Sequence, residues 1–252
     1  MQNACGNAII EAVDLGVSFG GVAVLAGVNF SVAAGEIFAI LGESGSGKTT
    51  LLRVLLGLLP AGSGTLRVAG CELVGADEKS RAGAACNVGV AFQTGALFGS
   101  LTLAENVMVP IRAQTRLPDS TARLLARIRL ATVGLADAAD RLPSQVSGGM
   151  RKRAAIARAM ALDPQILVLD EPSSGLDPLT AAELDRLIAT LNRSLGITVV
   201  MVTHNLAGVF AVVQRCILVS AEVKGILAQG TPAQLRDEHP NPKVRAFFHG
   251  DA

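Results

Sequence analysis

Residues 42–49 read GESGSGKT, a run of small side chains followed by a cation and a hydroxyl. This composition suits phosphate. Glycine at Gly42, Gly45 and Gly47 lets successive backbone N–H groups curl inward around oxygen atoms, where a Cβ would obstruct them, and Glu43, Ser44 and Ser46 lend further N–H groups to the same turn. Lys48 is then spaced to reach β- and γ-phosphates, and the Thr49 hydroxyl, with Thr50 beside it, to ligate Mg²⁺. The flanks agree: Ile37 to Leu41 is an apolar β-run, while Leu51, Leu52, Leu55, Leu56 and Leu59 recur at helical spacing. The turn therefore lies between a strand and a helix whose N-terminus adds partial positive charge.

A second set of reactive groups lies far downstream. The segment PQILVLDEP is an apolar strand, Ile166 to Leu169, ending in Asp170 and Glu171. In a parallel sheet the C-terminal ends of strands face the ligand crevice, so Asp170 can serve Mg²⁺ and Glu171 can polarise an attacking water. VVMVTH is another apolar strand, and it delivers His204, one of three histidines, to a strand end where it can sense a γ-phosphate. Between the two sets lies VSGGMRKRAAIARAMALDP, Val146 to Pro164, in which Ser147, Gly148 and Gly149 open a helix with free first-turn N–H groups. This is a second anion cradle in one chain.

The elements that must position these groups read as α/β. Early β-patterned segments (AIIEAVDLGVSF, VLAGVNFSV and SGTLRVAG) predict an antiparallel sheet, and the later apolar runs a parallel core. Leu184, Leu187, Ile188, Leu191 and Leu195 share one face of a packing helix. With 252 residues, 50% hydrophobic and 17% charged, the chain suits one α/β domain carrying an inserted subdomain. A formal charge of +1 provides no field for nucleic acid. Cys5, Cys71, Cys86 and Cys216 form no CxxC pair, which predicts free thiols in a reducing compartment. The N-terminus MQNACGNAII shows neither a basic region nor an apolar core of a secretory signal, so cytosolic residence is expected.

One stretch invites a membrane reading. Ala82 to Ala104 holds no charged side chain, but it contains Asn87, Gln93, Thr94, Ser100 and Thr102 with four glycines, and each polar group in hydrocarbon would need an internal partner. We expect strand end, loop and helix start instead, with Ser100 or Thr102 as the cap and Leu97, Phe98 and Leu101 available to meet a partner or the local core.

The order GESGSGKTT, Gln93, VSGGM, LVLDE, SSGLD and His204 closely resembles the ATP-binding subunits of ABC (ATP-binding cassette) transporters. The resemblance implies a P-loop NTPase (RecA-like) fold: a mixed or parallel sheet core, a flanking antiparallel β subdomain and an inserted α-helical subdomain. The nucleotide-binding domain would span 8–245, its helical insertion roughly 95–160, and a C-terminal tail 239–252. It implies ATP with Mg²⁺ held through Thr49, Gln93 and Asp170, and catalysis by Glu171 and His204 with Lys48 and Gln93. Phe19 lies where the family stacks an aromatic, usually Tyr, on adenine. Ser147, Gly148 and Gly149 match the signature that closes on the ATP of a second copy, with Asp177 at that interface; Val146 and Met150 replace the commoner Leu and Gln.

Local wording in FQTGALFGSLTLAENV, SGGM and DEHPNPKVRAFFHG is similar to the ATPases of Mce-type lipid carriers, including the Mla lipid-asymmetry system. Carried over, this implies phospholipid or hydrophobic lipid transport between inner and outer membranes. The partners would be a second copy in an antiparallel nucleotide sandwich, polytopic MlaE-like permease subunits, an Mce-domain protein and a STAS-domain regulator. The location would be peripheral on the cytoplasmic face of the inner membrane. An ABC ATPase for another solute, or a soluble scaffold ATPase outside transport, would carry the same motifs. Val244, Phe247 and Phe248 recur in the tail and raise the expectation of a contact with the second copy or the regulator.

Overall fold

The computed structural model describes residues 8–250, so Cys5, the N-terminal segment read above and the last two residues of the tail lie outside it. Strands β1 (Ala8–Phe19) and β2 (Val22–Ala33) form an antiparallel hairpin turned by Gly20 and Gly21, whose φ angles are 55° and 80°. Two successive left-handed residues are what a tight hairpin turn demands, and glycine adopts them without strain. Strand β3 (Ile37–Leu41), buried throughout, feeds the phosphate-loop turn and then α1 (Lys48–Leu55). Strands β4 (Ser63–Val68) and β5 (Cys71–Glu72) complete a sheet of order β2-β1-β4-β5.

After α2 (Glu78–Ala85) comes β6 (Val88–Ala91), followed by helices α3 (Leu103–Gln114), α4 (Asp119–Thr132) and α5 (Gly148–Ala159), which pack on one another. The chain then alternates: β7 (Ile166–Asp170), α6 (Pro178–Leu195), β8 (Thr198–Val202), α7 (Leu206–Val212) and β9 (Arg215–Ser220). It closes with β10 (Gly225–Gly230), α8 (Pro232–Asp237) and α9 (Pro242–His249). The second sheet has order β10-β9-β3-β8-β7-β6, parallel except for the antiparallel edge strand β10. This is the mixed sheet with a separate antiparallel sheet and a helical part that the motifs imply.

One apolar cluster joins the helices to one face of the parallel sheet, and another fills the space between the two sheets and α1. Register matters most for function. Ile40 of β3 and Asp170 of β7 both pair with Val202 of β8, and Leu169 pairs with Ala91 of β6. The strands therefore end level, and the segments that leave them (Gly42 onward, Gln93, Glu171 and His204) emerge along a single edge.

The uncharged stretch divides into the end of α2, β6, a loop and the first turn of α3. Thr102 is the cap: its Oγ1 accepts from Glu105 N at 3.2 Å, while the Glu105 carboxylate accepts from Thr102 N at 2.8 Å. Buried Asn106 holds the loop above it, accepting from Phe98 N at 2.7 Å and donating to three carbonyls, those of Phe98, Leu101 and Thr102. Leu97 packs on the core, whereas Phe98 stays exposed. Among the described residues no helix is long and apolar enough to cross a membrane. Cys71, Cys86 and Cys216 are free thiols; burial pushes the Cys216 thiol up to about 12. In the tail, α9 buries Val244 and Phe248 in its own chain, with Phe248 edge-on to Phe210 and Phe247. Those apolar residues are thus occupied in cis, which leaves the polar face of α9 for any contact with another chain.

Candidate functional site

The phosphate loop is shaped by what surrounds it. A Cβ on Gly42 (φ +148°) would stand 2.3 Å from the Val219 carbonyl oxygen, so no other residue fits there. Gly47 (φ +105°) lies under the β1–β2 hairpin, where a Cβ would come within 3.0 Å of Leu25. Helix α1 starts at that glycine with no side-chain cap, so its first-turn N–H groups remain free for an external acceptor. Ser46 is buried and its Oγ has no partner among the described residues. The Lys48 ammonium donates to the carbonyls of Gly42 and Glu43 at 2.7 and 2.6 Å. Burial lowers its pKa, while the charges of Glu171, Glu43 and Asp170 act the other way. Phe19 ends β1 and is half-exposed beside the turn, an open aromatic face.

Asp170 and Glu171 leave β7 next to each other. Burial first, then the charge of Glu171, raises the Asp170 pKa, against the pull of Lys152, Arg53 and Lys48. Glu171 has φ +47°, a left-handed backbone that costs a side-chain-bearing residue about 1–3 kcal/mol. Its N–H donates to Val202 O at 2.8 Å, and its carbonyl accepts from Lys152 Nζ at 3.1 Å. The carboxylate Oε1 is 2.8 Å from His204 Nδ1. An ionised carboxylate only accepts, so Nδ1 carries the proton, Nε2 is left as the outward nitrogen, and Oε2 of Glu171 is free for a water. His204 is 71% exposed at its side chain while Glu171 is only 14% exposed, so the pair runs from the interior to the open crevice.

Gln93 follows β6 at the same edge. Its side chain donates to Ser174 Oγ at 3.3 Å, and its carbonyl accepts from Lys152 Nζ at 2.5 Å. Arg158, further along α5, donates to the carbonyls of Gly95 and Ala96 at 2.8 and 2.7 Å. Burial lowers the pKa of Lys152, opposed by Glu171 and Asp170.

The second cradle stands apart from this cluster. Ser147 caps α5, its Oγ accepting from Met150 N at 3.3 Å, and remains exposed. A Cβ on Gly149 would meet Thr180 Cγ2 at 2.6 Å, and one on Gly148 would touch Leu176. The neighbours of Ser147 to Gly149 are therefore the Asp177 turn and α6, not the phosphate loop. Asp177 itself caps α6, accepting from Leu179 N and Thr180 N at 3.1 and 3.0 Å; its hydrogen bonds to Thr180 are the main reason its pKa lies below the ordinary value.

Thus Lys48, Asp170, Glu171, His204 and Gln93 lie along one edge of the parallel sheet, with Thr49 exposed at the head of α1 and Ser147, Gly148, Gly149 and Asp177 on a separate face. Sequence reading missed Lys152, Ser174 and Arg53. Arg53 carries no pattern of its own; Ser174 lies inside SSGLD, from which only Asp177 is carried over; Lys152 is one of three consecutive cations after Met150, and only the fold singles it out. Among the described residues no group of three or more His, Cys, Asp or Glu side chains could hold a metal alone. One carboxylate with an elevated pKa beside a hydroxyl-bearing helix start fits a divalent cation that arrives with phosphate oxygens to complete its shell.

Comparison with known proteins agrees with this geometry. Residues 25–174 match the family model described as ABC transporter. The intermembrane phospholipid transport system ATP-binding protein MlaF of Escherichia coli K12 is 36% identical over 253 residues, covering 100% of this chain and 92% of that protein. The probable ribonucleotide transport ATP-binding protein mkl of Mycobacterium tuberculosis H37Rv is 41% identical over 197 residues, or 78% of this chain; the aligned part spans 55%, about half, of that protein. Among solved structures, cbiO1 of Clostridium perfringens, part of the cbiONQ ABC transporter complex, superposes with TM-score 0.84 at 27% identity, covering 92% of each chain. The dimeric cassette MJ0796, solved after hydrolysis with ADP and Pi, gives TM-score 0.77 at 28% identity over 88% of this chain and 98% of that one. The matched span contains the phosphate loop, Gln93, the second cradle and both carboxylates, and with it the chain belongs to the ABC transporter family as an ATP-binding domain.

Proposed function

We propose that this chain binds and hydrolyses ATP as one of two copies that drive a polytopic permease moving phospholipid or other hydrophobic lipid between membranes. The observation that carries the ATPase reading is the Glu171–His204 contact of 2.8 Å at the ends of adjacent parallel strands, level with the phosphate loop. In this reading the turn from Gly42 to Gly47 and the free N–H groups of α1 hold the phosphates, and Phe19 offers its ring to adenine. Lys48 leaves the Gly42 and Glu43 carbonyls for β- and γ-oxygens. Oε2 of Glu171 orients a water in line with the γ-phosphorus, and His204 presents Nε2 to the γ-phosphate side.

Thr49, Gln93 and Asp170 are the residues that would hold Mg²⁺. When bound with the nucleotide, the cation supplies positive charge on the phosphates during displacement. Ser147, Gly148 and Gly149 act in trans: their place beside the Asp177 turn, away from the chain's own phosphate loop, suits closure over the nucleotide of a second copy. The lipid reading rests on the end-to-end similarity to MlaF, which covers the tail as well as the cassette. An MlaE-like permease, an Mce-domain protein and a STAS-domain regulator are its expected partners, on the cytoplasmic face of the inner membrane.

The test is affinity purification of the tagged chain from solubilised membranes, with identification of bound proteins and bound lipid. A polytopic permease with an Mce-domain protein and phospholipid is the expected result. A permease without Mce partners, or ribonucleotide bound in place of lipid, would favour the mkl-type alternative and overturn the lipid assignment. Soluble partners alone would sink transport and leave hydrolysis standing.

A further inference from the structure

Lys152 joins two elements that the proposed reaction uses separately. Its ammonium donates to the Gln93 carbonyl at 2.5 Å and to the Glu171 carbonyl at 3.1 Å, from helix α5, the helix that Ser147 to Gly149 begin. Glu171 takes that bond as one of three on its main chain. Its left-handed backbone is strained, and such a residue keeps its conformation only where neighbours over-determine it. Val202 O takes its N–H, and its carbonyl accepts from two donors, Ser174 N at 3.2 Å from the turn that follows and Lys152 Nζ at 3.1 Å, the latter its one side-chain donor among the hydrogen bonds of the described residues. With both peptide groups tied, the direction of the Cα–Cβ bond is set, and with it the carboxylate that meets His204 at 2.8 Å.

Arg158 and Ala155 hold the loop after Gln93 without Lys152: Arg158 bonds the Gly95 and Ala96 carbonyls, and a Cβ on Gly95 would meet that of Ala155 at 3.6 Å. The second bond of Lys152, to Glu171, is therefore not needed to anchor that loop. The ammonium is half-buried, with Glu171 and Asp170 as its charged neighbours, so it also tempers the repulsion between those two carboxylates.

We infer that Lys152 is a positioning residue for hydrolysis: together with Val202 O and Ser174 N it fixes the main chain of Glu171 so that its carboxylate is aimed at the water, and it alone of the three ties that aim to the Gln93 loop and to the helix that faces a second copy. The inference rests on the ATPase reading above. A misplacement of about 1 Å at a reacting group costs about 10²-fold in rate, which sets the scale of the expected loss.

The test compares the purified full chain with K152M, K152R, E171Q and the double variant K152M/E171Q. Steady-state ATPase and equilibrium binding of a fluorescent ATP analogue are the readouts, with thermal melting as a check on folding. We expect K152M to lose about 10- to 100-fold in kcat with analogue affinity within about twofold of the parent. K152R, whose guanidinium can donate to both carbonyls, should recover most of the rate. Adding K152M to E171Q should lower the residual rate less than about twofold, because a residue acting through Glu171 has nothing left to position. Should K152M fail to fold, K152R and K152Q carry the comparison. Rates in K152M within threefold of the parent, losses of affinity that track losses of kcat, or multiplicative losses in the double variant would each overturn the inference. A parent chain that does not hydrolyse ATP at all would instead remove the reading on which it rests.

Discussion

Two glycine-lined helix starts can take an anion in this chain, and they are finished to different degrees. At α1 the cap is Gly47, which has no side chain to spend on the first turn, and the turn before it is closed in by Leu25 and Val219 of the same chain. At α5 the cap is Ser147, whose hydroxyl already accepts from Met150 N, and the residue is exposed. The first cradle spends no side-chain cap on its helix start, which leaves the first-turn N–H groups of α1 to a ligand, and is walled in cis. The second spends a bond on its own stability and leaves its outer wall to another molecule. Under the proposed function, the difference teaches that a single chain would bind nucleotide with one half of its equipment, while turnover would need the other half brought from outside.

Breaking the chemistry without touching either cradle should give the largest effect. Glu171→Gln keeps size and shape but cannot take a proton, and steady-state hydrolysis should fall by about 10²- to 10⁴-fold. Size-exclusion chromatography of that variant with ATP should show a persistent dimer; rapid turnover would end the role given to Glu171. The two cradles are then separated by a pair of substitutions. Ser147→Arg removes the α5 cap and fills the outward face, so hydrolysis should drop by about 10²-fold while binding of a fluorescent ATP analogue to the single chain stays within twofold. Lys48→Met should do the opposite to binding, weakening affinity by about 10- to 100-fold, the worth of one or two hydrogen bonds to a charged group. If both variants damage binding alike, the two cradles are not independent.

The smallest effect concerns α6, which backs the second cradle. Asp185 on that helix is 4% exposed, its Oδ1 has no partner among the described residues, and burial raises its pKa. A raised folded-state pKa means the folded chain holds this proton more tightly than the unfolded chain. The stabilisation is therefore complete below the unfolded value of about 4 and is lost as pH rises through the folded value. Asp185→Asn, neutral throughout, should raise Tm by about 2–4 °C at pH 7.5, with the gap closing toward pH 4. Melting curves across that range check both the size and the slope.

Local patterns made part of this site legible. GESGSGKT between an apolar β-run and a leucine-spaced helix, and the carboxylates at the end of an apolar strand, are short-range signals whose physics is complete within a few residues. The Thr102 cap with Glu105 is another, since a capping box spans only one turn. The contact between Glu171 and His204, 33 residues apart, could be proposed only from motif order, because it depends on β7 and β8 pairing in register. The left-handed backbone of Glu171 and the reach of Lys152 had no sequence signature at all. Nor did the tail: the spacing of Val244, Phe247 and Phe248 announces an apolar face, but a face packed on Phe210 of the same chain and one packed on a partner read identically.

The hydrogen bonds of Lys48 to the carbonyls of Gly42 and Glu43 have a consequence for the cycle as a whole. In the proposed cycle, an ammonium that already has two oxygen ligands would give them up when phosphate arrives and regain them when phosphate leaves. Nucleotide entry is then an exchange of one set of acceptors for another, so part of the attraction of Lys48 for phosphate is offset by what it surrenders. The same exchange would run in reverse after hydrolysis: departing product would be displaced by the loop's own carbonyls, and the turn would recover its resting shape without waiting for the next ATP.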